Sequence, residues 1–410
     1  MQFKLDLIKK LEKHFDLPLY IFNEKEFTDN YLHLESCFKK AYCNYRISYS
    51  YKTNYTPYVC NLVKKLGGYA EVVSGMEYDI AKKIGYNPEH IIFNGPNKGQ
   101  AGLDAVYEQS IVNVDNIFEL INIIDLAKIN PDKNFKIGLR ANIKIGQNFI
   151  SRFGMDQTDL EKAFKMVSEI DNLKIVGLQC HISRCRDVLA WKHRTEFMLS
   201  LADKYFDDVP EYLDLGSGMF GKMAPEFASQ FSNVPTYDDY AEVTAVMVDE
   251  HYKDVCEDKK PILFTEPGTT LISKYIDLLC KVEAIKNIDD KPFAILNCSE
   301  HNLGETCLLK KLPIEVIHNN KETNIFKNLD FTGYTCLEQD VMYTDYNGEL
   351  AVDDYIVFGN VGGYSNVLKP PFIRPNCAMV VIDCNEEIKI IKKKETTEDI
   401  INTYLFEEIQ

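Results

Sequence analysis

The chain has 410 residues, and 46 Lys and Arg against 62 Asp and Glu give a net charge of −16 at pH 7. Hydrophobic residues make up 45% and charged residues 26%, a balance that excludes disorder as a description of the whole chain. The acidic excess argues against nucleic acid or an anionic membrane as partner, because both are held by clustered Lys and Arg. No run of about 18 apolar residues is present, so no membrane span is expected. The opening MQFKLDLIKKLEKHF carries charges throughout and reads as an amphipathic helix, not a signal peptide. The 12 cysteines are scattered, mostly inside apolar runs, with no C-x-x-C pair, which reads as reduced thiols in a cytoplasm and no metal site.

From about residue 45 to 265, short apolar runs alternate with amphipathic helical stretches. Eight strands are expected, over 45–52, 69–73, 90–95, 111–114, 136–142, 174–182, 211–216 and 262–268. Helical patterns such as EYDIAKKIG, NIFELINIIDLAKI and TDLEKAFKMVSEI fall between them. This alternation is that of βαβ units with a parallel sheet, and eight units match a (β/α)8 barrel in number and length. An open doubly wound sheet shares the same alternation. After Pro267 the texture changes to β-branched and aromatic runs, YIDLLCKVEAIK, KPFAILNCS, LPIEVIHN, DDYIVFGN and CAMVVIDCN, separated by clusters such as NIDDKP and YNGE. This part reads as an antiparallel β domain ending in a helix near TTEDIINTYLFEEI.

Candidate chemistry gathers where the barrel strands should end. Arg46, Ser48, Ser50 and Lys52 alternate onto one face of the first strand, which puts Lys52 at its C-terminal end. A lysine there can be partly desolvated, which favours the neutral amine that forms a Schiff base. Gly216-Ser217-Gly218 follows the strand EYLDL, and such a turn exposes N–H groups that can cradle a phosphate. Glu266, before Pro267-Gly268, closes the eighth strand and can serve as a base or as the partner of a ring nitrogen. His181 ends the sixth strand, Arg140 the fifth, and Glu71 lies in the second. Taken singly, a loop lysine, a capping glutamate and a satisfied histidine are ordinary structural residues. Their coincidence at one rim is what a pyridoxal phosphate site needs: a lysine, a carboxylate, a stacking ring and a phosphate cradle.

These motifs, in this order, resemble the ornithine/diaminopimelate/arginine decarboxylase family of alanine-racemase-like pyridoxal phosphate enzymes. SYSYKTNYTP, EVVSGMEYDIAKKIG, IIFNGPNKG, RANIKIG with SRFGM, GLQCHIS, YLDLGSG, TEPG, GYTCLEQD and VGGYSN all have counterparts there. The resemblance implies a (β/α)8 barrel over 25–268 and a β domain built from 1–24 and 269–410, with PLYIFNE a strand of the latter. It implies Lys52 as the Schiff-base lysine and Glu266 as partner of the pyridine nitrogen. His181 would stack on the ring, with Glu71 and Arg140 supporting. Gly216, Ser217, Gly218, Gly268, Thr269 and Tyr364 would complete the cofactor site. Cys336 would reach in from a second subunit of a homodimer and return a proton after CO2 leaves. Racemisation, the other chemistry of this fold, fits less well, since racemases commonly place arginine at the ring nitrogen.

Substrate-reading positions depart from the family pattern. The arginine expected after Glu-Pro-Gly is Thr269, and the acid expected after Cys336 is Leu337, with Glu338 and Asp340 following. NCSEHNLGETCLL carries Glu300 and Glu305 but no arginine, and His-x-x-Gly-Ser becomes His181-Ile182-Ser183-Arg184, with Arg186 close behind. The expectation is a cytoplasmic decarboxylase of a small amino acid or amino-acid conjugate, possible on a carrier protein, with Arg184 at an extra anionic group and Glu300, Glu338 and Asp340 as further substrate candidates. Diaminopimelate or D-/L-ornithine/lysine decarboxylation proper is the nearest alternative, and a non-catalytic antizyme-inhibitor-like regulator is the alternative of another class.

Overall fold

A computed structural model describes residues 3–144, 150–182, 184–304, 306–319 and 322–406. The chain divides into two compact units, one of Tyr31–Phe220 and Asn233–Thr270, the other of the chain before Tyr31, Gly221–Ser232 and the chain from Leu271. Among the described residues, no helix is long and apolar enough to cross a membrane, and none of the 12 cysteines is in a disulfide.

The first unit is a closed barrel of eight parallel strands. They are Tyr45–Ser50, Tyr69–Val72, Ile91–Phe93, Ile111–Val114, Phe135–Arg140, Leu173–Gln179, Tyr212–Asp214 and Ile262–Thr265. Each pairs with the next, and the last closes on the first through Tyr45–Leu263 and Ile47–Thr265. Closure rules out the open sheet. Strands covered on both faces need apolar runs on both, and Ile91, Ile92 and Phe93 are all fully buried. The helices that follow start at N-caps the sequence supplies. Ser74, Asn116, Asp156 and Asp187 each accept a hydrogen bond from the backbone N–H three residues on, satisfying an orphan donor of the first turn.

The barrel interior is filled by Ile92, Tyr212 and Phe264, with Tyr69, Ile111, Val176 and Ile262 packed around them. Tyr212 fits because Gly138 and Gly177, on the fifth and sixth strands, leave the space its ring occupies; a Cβ at either would collide with it. Its hydroxyl donates to Asn113 Oδ1 at 2.7 Å, and Asn113 Nδ2 donates to Asn94 Oδ1 at 2.7 Å.

The second unit carries a nine-stranded sheet. Its spine is the long strand Ile276–Ile288, whose first half pairs with Leu19–Asn23 and Tyr355–Phe358 and whose second half pairs with Lys291–Leu296. Ile314–Ile317 extends the Tyr355–Phe358 side. The sheet is mixed: Leu19–Asn23 runs parallel to Ala378–Ile382, and Lys291–Leu296 parallel to Asn324–Thr332, while its other pairings are antiparallel. Helix Leu5–His14 lays Ile8 and Leu11 on a core of Leu19, Ile21, Leu279, Val357 and Val380.

Three expectations are corrected here. Tyr346-Asn347-Gly348-Glu349 is not a separator but lies within the strand Val341–Leu350. The final helix is short, Thr397–Ile401, and residues 407–410 lie outside the described chain. Asn324–Thr332, Val341–Leu350 and Ile388–Lys392 are strands the sequence pattern does not announce. Each is polar or exposed over much of its length, so the apolar alternation is broken.

Two outcomes test this packing. Tyr212→Phe leaves Asn113 Oδ1 buried without its donor and should cost about 1–3 kcal/mol, read as a lower urea midpoint at unchanged slope. The second concerns Glu77, whose Oε2 accepts Val73 N–H at 2.7 Å in the turn after the second strand. Burial, reinforced by the charge of Glu71, pushes its carboxyl from 4.5 up to about 7, against the Val73 hydrogen bond. The folded chain therefore keeps this proton while the unfolded chain has lost it. The stability this contributes is full below pH 4.5 and is lost as pH rises toward 7. Glu77→Gln keeps an acceptor for Val73 and removes the titration. It should be more stable than the parent at pH 8, by up to about 3 kcal/mol, and show no gain at pH 4.5.

Candidate active site

A cavity of about 390 Å3 is lined by residues from the C-terminal ends of the barrel strands, among them Lys52, Glu71, Asn94, Arg140, His181 and Glu266. Lys52 sits in a 3-10 turn, Tyr51–Thr53, directly after the first strand. Its Nζ donates to Glu71 Oε2 at 2.6 Å and to Ser50 Oγ at 2.8 Å, and Ser50 Oγ donates to the same Glu71 oxygen at 2.5 Å. Ser50 and Glu71 are aligned by the register of the first two strands. The turn is braced from the eighth strand: Ser50 N–H donates to Pro267 O at 3.4 Å, and the Gly268 backbone lies against Thr53 so closely that a Cβ would strike its hydroxyl. Thr269, half-buried, opens the short helix Thr269–Ile272.

Glu266 is 1% exposed. Its Oε1 accepts from Asn94 Nδ2 at 2.5 Å and Gln179 Nε2 at 2.9 Å, and its Oε2 lies 3.5 Å from His181 Nδ1. Burial alone would raise its pKa, but His181, the charge of Lys52 and the Asp214 carboxyl together hold it low. Asp214 is fully buried, and its Oδ1 accepts the Gly216 N–H at 2.9 Å. Burial and the negative charge of Glu266 raise its pKa well above the usual carboxylate range. Of this carboxyl pair, Glu266 is the anion and Asp214 keeps the proton, because only Glu266 has two amide donors. Burial lowers the pKa of His181, with Glu266 opposing. Its Nδ1 lies between Ser217 N, at 3.3 Å, and Glu266 Oε2, at 3.5 Å.

Arg140, buried, donates to Asp115 Oδ1 at 3.2 Å and to the Asn94 carbonyl at 3.3 Å. Asp115 also takes the Gly154 N–H at 3.1 Å. Arg140 is thus paired, and Arg152 and Arg184 also line the cavity. Gly216 and Gly218 turn at φ +64° and +104°, left-handed conformations that glycine adopts without strain. They also let the turn close on the sixth strand's end. A Cβ on Gly216 would meet the Cys180 carbonyl and, at 2.9 Å, His181 Cα; one on Gly218 would meet the Ile182 carbonyl.

The remaining candidates lie in the second unit. Cys336 and Glu338 are exposed in the loop between Asn324–Thr332 and Val341–Leu350. Asp340 is buried, and its oxygens accept the Glu300 N–H at 2.8 Å, the Thr335 N–H at 3.1 Å and the Thr335 hydroxyl at 2.6 Å, so it organises that loop. Glu300 opens the helix Glu300–Leu303, buried, its pKa raised by burial and by Asp340. Tyr364 is half-buried at φ +57°. Glu305 and Ser183 lie outside the described residues. Sequence reading passed over Asn94, Asp115, Gln179 and Asp214. Three of them had a signal: Asn94 in IIFNG, Gln179 in GLQCHI and Asp214 in YLDLG are each a polar residue set into an apolar barrel strand or its end.

These residues fit pyridoxal phosphate. An amine lies beside a carboxylate, a buried anion is held ready for a protonated ring nitrogen, and the Gly216–Gly218 turn is one that side chains would fill. Comparison with known proteins agrees. Residues 32–273, more than half the chain, match the family described as pyridoxal-dependent decarboxylase, pyridoxal binding domain. The diaminopimelate decarboxylase of Aquifex aeolicus is 27% identical, over 97% of this chain and 94% of its own length. That of Methanocaldococcus jannaschii is 28% identical, over 97% and 92%. The crystal structure of diaminopimelate decarboxylase from M. jannaschii in complex with L-lysine superposes with a TM-score of 0.82 at 25% identity, covering 97% of this chain and 94% of that one. The chain therefore belongs to the pyridoxal-dependent decarboxylase family and is a pyridoxal phosphate-dependent carboxy-lyase acting on an amino acid.

Proposed function

We propose that the enzyme removes the α-carboxylate of an amino acid that carries a second negatively charged group. The observation behind this is the make-up of the cavity wall, where the cations Lys52, Arg140, Arg152 and Arg184 stand beside the carboxylates Glu71 and Glu266. The two full-length relatives are named for diaminopimelate, an amino acid with a second carboxylate, which makes it the first compound to try. A conjugate bearing an anionic group on its side chain satisfies the same wall.

Pyridoxal phosphate, when bound, supplies an aldehyde that takes up an amine and a ring that accepts the electron pair left by departing CO2. Lys52 is the amine that holds it, and Glu71 Oε2, 2.6 Å from Nζ, takes the proton Lys52 must lose before its nitrogen can attack. Glu266, kept anionic in a buried site, holds a proton on the ring nitrogen. His181, beside the Ser217 N–H, forms one wall for the ring. Gly216, Ser217 and Gly218 would receive the phosphate, with Gly268 and Thr269 beside the cofactor. Cys336 is our candidate for the proton that replaces CO2, supplied from a second copy of the chain.

A CO2-release screen over meso-diaminopimelate, L- and D-lysine, L- and D-ornithine, arginine and glutamyl conjugates tests the substrate class. The highest kcat/KM should fall on a compound with a second anion, and a preference for ornithine or lysine would sink the reading. With that compound, Arg184→Ala should raise KM about tenfold with little change in kcat, since the contact is equally present in the ground and transition states. Lys52→Ala and Cys336→Ala should each be nearly inactive alone, and mixing them should restore activity if the site is shared between copies.

A further inference from the structure

Arg194 is the most deeply buried cation of the barrel unit, and nothing in the reaction above uses it. It lies on helix Val188–Tyr205 with 0% exposure. Its Nη1 donates to the carbonyls of Leu215 at 2.8 Å and Ser217 at 2.7 Å, and its Nη2 donates to the carbonyl of Ile182 at 3.0 Å. The guanidinium lies 4.1 Å from the Trp191 ring, and its Nε is buried without a hydrogen-bond partner among the described residues. No carboxylate among the described residues stands within ion-pair distance of it, although the other buried cations of the barrel, Arg140, Lys98 and Lys260, each have one.

A cation taken out of water without a counter-ion costs several kcal/mol, and carbonyl dipoles offset only part of that. Such a charge persists where something negative binds close by. The three carbonyls it holds belong to the Gly216–Gly218 turn and to the segment that follows His181. The Ser217 carbonyl points at Arg194, so across the planar trans peptide the Gly218 N–H points the opposite way. That N–H has no acceptor among the described residues. The turn therefore presents a donor on one face and carries a full positive charge on the other.

We propose that Arg194 is the buried counter-charge of the cofactor's phosphate, a positioning residue that acts through the Leu215–Gly218 turn. It fixes the turn by its carbonyls and supplies the positive potential that a phosphate dianion on that turn needs. This rests on the reading of Gly216–Gly218 as the phosphate turn.

The test compares the cofactor with and without its phosphate on the apoprotein. Dissociation constants for pyridoxal phosphate and for pyridoxal are measured by absorbance titration of the parent, Arg194→Met and Arg194→Lys, with thermal melts as a folding check. The parent should prefer pyridoxal phosphate strongly. Arg194→Met should bind pyridoxal phosphate at least about tenfold more weakly, while pyridoxal changes by less than about threefold. Arg194→Lys keeps the charge but loses most carbonyl bonds, and should retain the preference to within a few fold. Equal weakening of both ligands would overturn the proposal and leave Arg194 as a staple, and so would an unchanged preference in Arg194→Met. If Arg194→Met does not fold, Arg194→Lys decides alone: loss of the preference for the phosphate form overturns the proposal, and its retention with a lowered melting temperature supports it. A parent that binds both ligands equally would instead sink the phosphate-turn reading itself.

Discussion

Glu266 is a buried anion, 1% exposed, and the barrel interior is arranged around keeping it charged. A lone buried carboxylate takes up a proton and becomes useless as a partner for a cationic ring nitrogen. Here two amide hydrogens, from Asn94 and Gln179, converge on one oxygen, and a neutral carboxylic acid, Asp214, stands beside it. Because Asp214 keeps its own proton, the pair carries one charge and not two, the usual settlement when carboxyl groups crowd together in low dielectric.

That requirement propagates inward with a direction. Asn94 must aim its NH2 at Glu266, so its oxygen must accept, and Asn113 supplies the donor. Asn113 must then accept on its own oxygen, and the Tyr212 hydroxyl supplies that donor. Each amide is thereby fixed against flipping, by the hydrogen-bond inventory alone. The chain ends on a phenol in the middle of the barrel, which is why a tyrosine stands where packing alone would take any large ring, and why two neighbouring strands carry glycine opposite it. Asn94 also touches Glu71, at 3.3 Å, so the carboxylate beside Lys52 and that of Glu266 are set by the same amide.

Much of this was legible in the amino-acid order. Strands buried on both faces leave apolar runs, as in HIIFNG, IVNV and ILFTEPG. Parallel strands also put every C-terminus at one rim, so Lys52, Glu71, Arg140, His181 and Glu266 could be grouped before any coordinates. The second unit was read less well where its strands are wet. Asn324–Thr332 and Val341–Leu350 pair with each other, with irregular register, and expose polar residues over much of their length, so no period of two survives. The partners of the site were hidden for another reason. Arg140 with Asp115, or Arg194 with Leu215 and Ser217, are pairings between different strands, helices and turns, and local pattern carries no record of them.

The distribution of charge then separates the chemistry from its selectivity. Glu71, Asn94, Gln179, Asp214 and Glu266 sit on barrel strands or within two residues of their ends, where closure of the sheet fixes their positions. Arg152 and Arg184 sit outside the strands, in the segments after the fifth and sixth. A side chain on such a segment can be exchanged without disturbing a strand register or a buried proton, whereas exchanging Asn94 or Gln179 leaves Glu266 short of a donor at a cost of about 1–3 kcal/mol or more. A change of substrate is therefore accommodated more readily in these segments than on the rim strands beneath them.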